Sequence, residues 1–225
     1  MRGYAICTER RSGSNFLCRV LESTGLLGRP REYFTTGAIR ALGHHDYPDE
    51  PEAQLNRLLS IATTPNGVYG VKLHAQHFDA AKATHWAERL PSLSFIHLER
   101  RDVLGQAISS VRASQTQRWR SQQREVGEPV YDQGAINNEL VRLVREQTRW
   151  RFYFARNGIP VLNLVYEDFV LDPQGAADAV GRLIGLTEAP RVDMSLVKVE
   201  VQRDSLSAAW RERFIAETRD ITVFH

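Results

Sequence analysis

Residues 4–17 read Tyr4-Ala5-Ile6-Cys7-Thr8-Glu9-Arg10-Arg11-Ser12-Gly13-Ser14-Asn15-Phe16-Leu17, and this stretch decides the fold. The apolar run that ends at Cys7 predicts a buried strand, and apolar residues return at helical spacing from Phe16 onward. A short loop of mostly small and charged residues separates the two. A helix begins with unpaired N–H groups and the positive end of its dipole. This order of elements therefore places a positive potential at the loop, which favours a bound anion such as phosphate or sulfate.

The loop has the composition of an anion-binding cradle. Gly13 permits close approach of the backbone, and Arg11 adds a planar cation suited to tetrahedral anions. Further side-chain donors come from Ser12, Ser14 and Asn15. The loop is not a Walker A sequence, because its cation precedes the glycine and no Gly-Lys-Ser/Thr ending follows. The residues alone leave open an ordinary turn in which a serine caps the helix and the arginines are solvated.

Length, composition and charge predict a single cytoplasmic domain over residues 1–225. Hydrophobic residues make up 42% of the chain and charged residues 25%, as in most soluble globular proteins. A net charge of +2 is too small to indicate nucleic-acid binding. No apolar run is long enough to span a membrane, and the N-terminus has no signal-peptide pattern. Cys7 and Cys18 lack Cys-x-x-Cys spacing, which favours reduced, buried thiols.

Strand and helix patterns alternate along the rest of the chain. Further strands are predicted at 68–73, 93–98 and 159–165, and helices at 52–62, 79–90, 102–112, 134–156, 175–184 and 207–218. An exposed loop is expected over 35–50, a loop or lid over 120–133, and an extended segment over 197–201. The buried side of helix 134–156 is predicted to carry Ile136, Leu140, Leu143, Val144, Trp150, Phe152 and Phe154. The alternation predicts an α/β fold with a mostly parallel sheet flanked by helices.

Polar residues follow two of the later predicted strands, at the sheet edge where ligands gather in open α/β folds. Lys72 and His74 end strand 68–73. Arg100 follows strand 93–98, and together with Ser109 on the next helix it would suit a second tetrahedral anion. The same residues are also consistent with a purely structural arrangement, in which Asp102 caps the following helix and the two arginines are solvated. No metal site is predicted, since the His44-His45-Asp46 run lacks a second ligand pair at a recognised spacing.

Several motifs in the same order resemble the bacterial trehalose 2-sulfotransferase-like family. They lie at 11–14, 29–34, 64–73 and 100–109, continue at 115–120, and have a weaker counterpart at Gln202, Asp204 and Trp210. The resemblance implies a P-loop-like α/β fold. It also implies a sulfotransferase that moves a sulfuryl group from 3′-phosphoadenosine 5′-phosphosulfate (PAPS) to an acceptor hydroxyl. PAPS is the only cofactor implied, and that scheme requires no metal ion.

The resemblance also implies roles for individual residues. The loop would hold the 5′-phosphosulfate through Arg11, Ser12, Gly13, Ser14 and Asn15. Arg100 and Ser109, at the nine-residue spacing of the family, would hold the 3′-phosphate. Glu32 matches the catalytic carboxylate of the family and would be the general base. From the residues alone, a loop salt bridge of Glu32 with Arg29 or Arg31 stays open.

The stretch Lys72-Leu73-His74 resembles the Lys-Thr-His stretch of cytosolic sulfotransferases of animals and plants. In those enzymes the histidine is the base and the lysine neighbours the transferring group. We therefore expect Lys72 to contact the sulfuryl or bridging oxygen. His74 is expected either to orient the acceptor or to compete with Glu32 as the base.

The acceptor is expected to be a hydroxyl of a small molecule, a glycan or a lipid-linked sugar. The histidine-rich segment after Phe34 departs from the family, so trehalose itself is not assigned. Members of the family can pair, and a homodimer is one expectation. Two other classes stay open: a P-loop-like kinase of a small hydroxylated metabolite, and a non-catalytic nucleotide-binding module. The module would have Glu32 and Lys72 turned away from the loop.

Overall fold

The computed structural model describes residues 1–119, 126–198 and 205–222. It divides into two compact units, Met1–Arg101 with Glu146–Lys198 and Asp102–Arg145 with Val199–His225. The extended segment expected at 197–201 lies outside the described residues from 199 onward, as do Arg120, Gln202 and Asp204. Among the described residues, no helix is both long and apolar enough to cross a membrane.

A parallel sheet of four strands forms the centre of the first unit. The strands are β1 (Arg2–Thr8), β2 (Val68–Leu73), β3 (Leu93–Glu99) and β4 (Val161–Val165), in the order β2-β1-β3-β4. All three neighbouring pairs are parallel, which confirms the predicted α/β class. Because β1 has a partner on each side, it is buried from Gly3 to Thr8. The carboxyl ends of all four strands therefore lie along one edge of the sheet.

The helices are α1 (Ser14–Ser23), α2 (Thr36–Arg40), α3 (Pro51–Ala62), α4 (Ala75–Ala81), α5 (Trp86–Arg89), α6 (Val103–Thr116), α7 (Gln133–Arg156), α8 (Tyr166–Phe169), α9 (Pro173–Leu183) and α10 (Ser205–Thr218). Turns of 3-10 helix occur at Lys82–Thr84 and Met194–Leu196. The unit boundary at 145/146 falls within α7. Residues 126–132 form neither helix nor strand, as expected for that part of the predicted loop.

Two predicted elements are wrong. Residues 79–90 are not one helix, because His85 adopts a left-handed φ of 52° between the 3-10 turn and α5 and so interrupts the helical ladder. Residues 35–50 are not simply an exposed loop, because they contain α2 and the fully buried Tyr47. The Tyr47 hydroxyl donates to the Tyr33 carbonyl at 2.7 Å, which ties this segment to the core.

Successive side chains of β1 point to opposite faces of the sheet, so the apolar core of the first unit forms two clusters, one on each face. One cluster contains Ala5 and Cys7 with side chains from α3, α5 and the end of α7, among them Leu58, Trp86, Trp150 and Phe154. The other contains Tyr4 and Ile6 with side chains from α1 and α9, among them Leu17, Leu21, Ala177 and Val180. Both faces of the sheet are thus covered by helices, as a parallel sheet requires.

The second unit has its own apolar cluster, formed by α6, α7 and α10. It includes Ile108, Val111, Ile136, Leu143, Trp210 and Phe214. Asp102 caps α6, accepting from the Gly105 N–H at 3.0 Å, and also pairs with Arg211.

The predicted buried side of α7 included Val144 and Phe152, and this was wrong. The Phe152 residue is 63% exposed, and Val144 is also exposed. Residues two positions apart point to nearly opposite sides of a helix, so Phe152 faces away from the buried Trp150 and Phe154.

Candidate functional site

The loop after β1 turns tightly into α1. Arg11 and Gly13 both have left-handed φ angles, of 63° and 83°. Thr8, the last residue of β1, donates its hydroxyl to the Leu98 carbonyl at 2.8 Å and lies 2.7 Å from the Ser12 hydroxyl. The loop is therefore anchored to the end of β3 as well as to β1.

Gly13 is required by space as well as by its backbone angle. A Cβ at this position would overlap the ring of Tyr166, the residue that follows β4. The backbone here therefore lies against an aromatic ring on one side, and Gly13 immediately precedes α1. No sequence pattern indicates this contact, because it depends on the position of β4 in the sheet.

Replacing Gly13 by alanine should destabilise the protein more than the same change at Gly25. Both glycines have left-handed φ angles, but Gly25 has open space around its Cα. Both variants incur backbone strain, while only Gly13→Ala adds an overlap, so the difference should be about 1–3 kcal/mol. Urea unfolding of the two variants measures it, and equal losses would contradict the packing of Tyr166 on this loop.

Lys72, on β2, links the loop to Glu32. Its ammonium lies 2.7 Å from Asn15 Oδ1, in the first turn of α1, and 2.6 Å from Glu32 Oε1. The Lys72 side chain is only 5% exposed. Glu32 reaches it because the preceding residue pairs with the outer edge of β2, where the Lys72 N–H donates to the Arg31 carbonyl at 2.9 Å. The structure thus brings together three sequence-predicted site residues.

The charge of Glu32 is stabilised by this cluster. Burial alone would raise its pKa, but the Lys72 ammonium and a hydrogen bond from His74 outweigh burial and hold the pKa of Glu32 well below its ordinary value. The alternative salt bridges are not formed. Arg31 pairs with Glu22, and Arg29 donates to the Thr63 carbonyl. Glu32 is therefore a carboxylate at neutral pH.

His74 lies between the end of β1 and Glu32. Its Nδ1 is 3.2 Å from the Thr8 carbonyl oxygen, and its Nε2 is 3.4 Å from Glu32 Oε1. Both oxygens can only accept, so the ring makes both hydrogen bonds when both of its nitrogens carry protons. Nearby, the buried Glu9 accepts from the Ala75 N–H at 3.2 Å and joins the loop to the start of α4. Sequence reasoning missed this anchoring role of Glu9.

Arg100 turns toward the loop, whereas Arg101 turns away from it. Arg100 donates to the Arg11 carbonyl at 3.1 Å, and its guanidinium carbon lies 5.1 Å from the centre of the Tyr166 ring. The Arg100 side chain is 11% exposed, against 59% for Arg101, which pairs with Asp168. Arg100 Nε also lies 4.0 Å from Glu167 Oε1, and the choice of Arg100 over Arg101 as an anion ligand stays a prediction. Ser109 is half-buried on α6 of the second unit, and its role stays a prediction.

The cluster can carry out proton transfer next to an anion. It combines a carboxylate, an ammonium and an imidazole, and the ammonium also contacts the first turn of the helix that follows the loop. A non-catalytic module was expected to have Glu32 and Lys72 turned away from the loop. Here Lys72 contacts both Asn15, in the helix after the loop, and Glu32. Within residues 1–119, 126–198 and 205–222, no group of three or more His, Cys, Asp and Glu side chains could hold a metal ion.

Comparisons with known proteins agree with the motifs. Residues 3–217 match the family model described as Stf0 sulphotransferase. The trehalose 2-sulfotransferase of Mycobacterium tuberculosis (strain ATCC 35801 / TMC 107 / Erdman) is 29% identical over 264 residues, covering 96% of this chain and 96% of that protein. The trehalose 2-sulfotransferase of Mycolicibacterium smegmatis (strain ATCC 700084 / mc(2)155) is 26% identical over 255 residues, covering 94% of this chain and 93% of that protein.

Proposed function

The chain belongs to the Stf0 sulphotransferase family, and we propose that it transfers a sulfuryl group from PAPS to a hydroxyl of a carbohydrate acceptor. The family match confirms the resemblance seen in the sequence motifs and makes the protein a sulfotransferase. The donor, the acceptor and the residue roles are the proposal. One observation carries it: Lys72 is shared between Asn15, in the helix that follows the loop, and the carboxylate of Glu32.

The residues at the loop fit a phosphosulfate. Gly13 immediately precedes the first turn of α1, and Arg100 lies against the loop through its hydrogen bond to the Arg11 carbonyl. We assign the 5′-phosphosulfate to Arg11, Ser12, Gly13, Ser14 and Asn15, and the 3′-phosphate to Arg100 and Ser109. PAPS, when bound, supplies the sulfuryl group and leaves as adenosine 3′,5′-bisphosphate.

Glu32 acts as the general base in this proposal. It takes the proton of the acceptor hydroxyl as that oxygen bonds to sulfur and the bond from sulfur to the phosphate oxygen breaks. Lys72 stabilises the negative charge that develops on the sulfuryl and leaving oxygens, as fixed cations do in phosphoryl transfer. His74, hydrogen-bonded to the Thr8 carbonyl, orients the acceptor beside Glu32.

The depressed pKa of Glu32 adds a condition to this mechanism. A carboxylate that is strongly paired with an ammonium is a weak base, and general bases work best with a pKa near the working pH. In our proposal Lys72 turns its ammonium toward the anionic donor during the reaction. The pKa of Glu32 then rises, because its largest stabilising charge has moved away.

The acceptor class follows from the relatives, both named trehalose 2-sulfotransferases. We propose a sugar hydroxyl, free or on a lipid-linked glycan, as the acceptor. The family model spans 3–217, which supports one sulfotransferase domain over 1–225. Cytoplasmic location is part of the proposal and is supported by two buried free thiols, Cys7 and Cys18. A homodimer, expected from the resemblance, is testable by sedimentation velocity.

Calorimetry with adenosine 3′,5′-bisphosphate tests the donor site. We expect metal-independent binding that Arg100→Ala weakens about 10- to 100-fold, because a hydrogen bond to a charged group contributes about 1.5–3 kcal/mol. Arg101→Ala is the matched control and should bind like wild type, since its side chain is exposed and paired with Asp168. Preference for ATP with magnesium would favour the kinase alternative. Equal losses in the two variants would contradict the assignment of Arg100.

A further inference from the structure

His77 lies beside the candidate site and has no role in the mechanism above. It is in the first turn of α4 and is buried. Its Nε2 lies 2.9 Å from the Thr35 hydroxyl oxygen, and its Nδ1 lies 3.4 Å from the backbone nitrogen of His74. The ring therefore contacts two separate segments of the chain.

The hydrogen bonds define which nitrogen of His77 carries the proton. A backbone N–H can only donate, so Nδ1 accepts from His74. The single proton of the neutral ring is then on Nε2, which lies 2.9 Å from the Thr35 hydroxyl oxygen and 3.4 Å from the Gln76 side-chain nitrogen. Only the hydroxyl oxygen can accept this proton, so Nε2 donates to Thr35. Burial, reinforced by the neighbouring His74, lowers the pKa of His77 to about 4. The ring thus stays neutral at physiological pH, and both hydrogen bonds are retained.

The two segments that His77 joins are those that carry the candidate bases. Thr35 closes the turn that contains Glu32, since the Thr35 N–H donates to the Glu32 carbonyl at 2.9 Å. His74 is the residue between β2 and α4. The opposite end of the Glu32 segment is already fixed to β2 through the Arg31 carbonyl. His77 supplies the second attachment, on the side of His74.

We infer that His77 is a positioning residue for sulfuryl transfer, which holds the Glu32 turn against His74 through its bond to Thr35. This inference rests on the proposed function. A role in capping α4 would explain the contact with the His74 backbone but not the bond to Thr35. The Thr35 bond is therefore the contact to test.

Substitutions of His77 by asparagine and by glutamine test its two ring nitrogens separately. Asparagine can replace Nδ1 as the acceptor for the His74 N–H but does not reach Thr35, whereas glutamine can replace the Nε2 donor. We expect His77→Asn and Thr35→Val each to lower kcat about 10- to 100-fold, as a small misplacement of a catalytic group does. His77→Gln should recover most of the loss. The acceptor KM and the affinity for adenosine 3′,5′-bisphosphate should stay within about twofold of wild type.

The double variant His77→Asn/Thr35→Val should be no slower than either single variant, because both remove the same bond. Thermal unfolding measured in parallel shows whether a smaller folded fraction of a variant accounts for its lower kcat. The inference is wrong if the single variants turn over like wild type, if His77→Gln loses as much as His77→Asn, or if kcat falls only with the folded fraction. A wild-type protein that neither binds the bisphosphate nor transfers sulfate would instead overturn the proposed function, and this inference with it.

Discussion

Replacing Glu32 by glutamine should lower kcat about 10²- to 10⁴-fold, the range that a positioned general base contributes. The neutral amide cannot take the proton of the acceptor hydroxyl. Its oxygen can still accept from the Lys72 ammonium, which lies 2.6 Å from Glu32 Oε1, so the local geometry should be retained. Binding of adenosine 3′,5′-bisphosphate should not be weakened. Steady-state kinetics with a sugar acceptor, combined with calorimetry, separates the two effects.

His74 is the competing base, and its replacement decides between the two. His74→Asn keeps a donor for the Thr8 carbonyl but removes the imidazole nitrogen that faces Glu32. We expect a loss of about tenfold, smaller than that of Glu32→Gln. Glu52→Gln, at an exposed pair with Arg89, is the control for loss of a carboxylate and should keep full activity. Retained turnover in Glu32→Gln together with an inactive His74→Asn would transfer the role of base to His74.

The fold could be predicted where the signals are local. Strand 68–73 was predicted with its observed bounds because Pro65 and Gly67 mark its start and an apolar run follows. The strand, loop and helix at the N-terminus were also predicted from local patterns, namely the apolar run that ends at Cys7 and the helical spacing from Phe16. The prediction for 79–90 failed because helical spacing continues through His85, whose left-handed backbone no residue pattern indicates. Local patterns locate elements but not such interruptions.

The proximity of the candidate site residues could be expected from the sequence, but their pairings could not. The carboxyl ends of parallel strands share one edge, so Lys72, His74 and Arg100 could be expected there from the order of the strands. Neighbouring arginines were the natural partners for Glu32 in the sequence. The structure pairs it with Lys72 instead, because residue 31 aligns with Val71 at the edge of β2. The contacts of Tyr166 and His77 likewise depend on tertiary packing.

Replacing Lys72 by methionine should impair both activity and stability. Loss of the ammonium removes the charge that we assign to the transition state, so we expect kcat to fall at least about 10²-fold. It also leaves the carboxylate of Glu32 without its main partner. Removing one member of a buried ion pair costs about 3–5 kcal/mol, and the lower value applies because the Glu32 side chain is 24% exposed. Urea unfolding at pH 7 measures this loss.

The double variant Lys72→Met/Glu32→Gln separates stability from catalysis. It removes both charges, so most of the free energy of unfolding should return, while kcat should stay as low as in the single variants. A double variant that is as unstable as Lys72→Met would contradict the ion pair as the cause. Recovered turnover would contradict both assigned roles.

The pH dependence of stability provides a separate test of the same pair. The pKa of Glu32 is lower in the folded protein than in the unfolded chain, where it is about 4.3. The pair therefore contributes its full stability above about pH 5 and loses it as the pH falls further, because the unfolded chain binds the proton first. Below pH 5 the free energy of unfolding of wild type should decline more steeply than that of Lys72→Met/Glu32→Gln. Parallel declines would mean that Lys72 does not hold Glu32 in its charged form, and the requirement that Lys72 turn toward the donor would then be unnecessary.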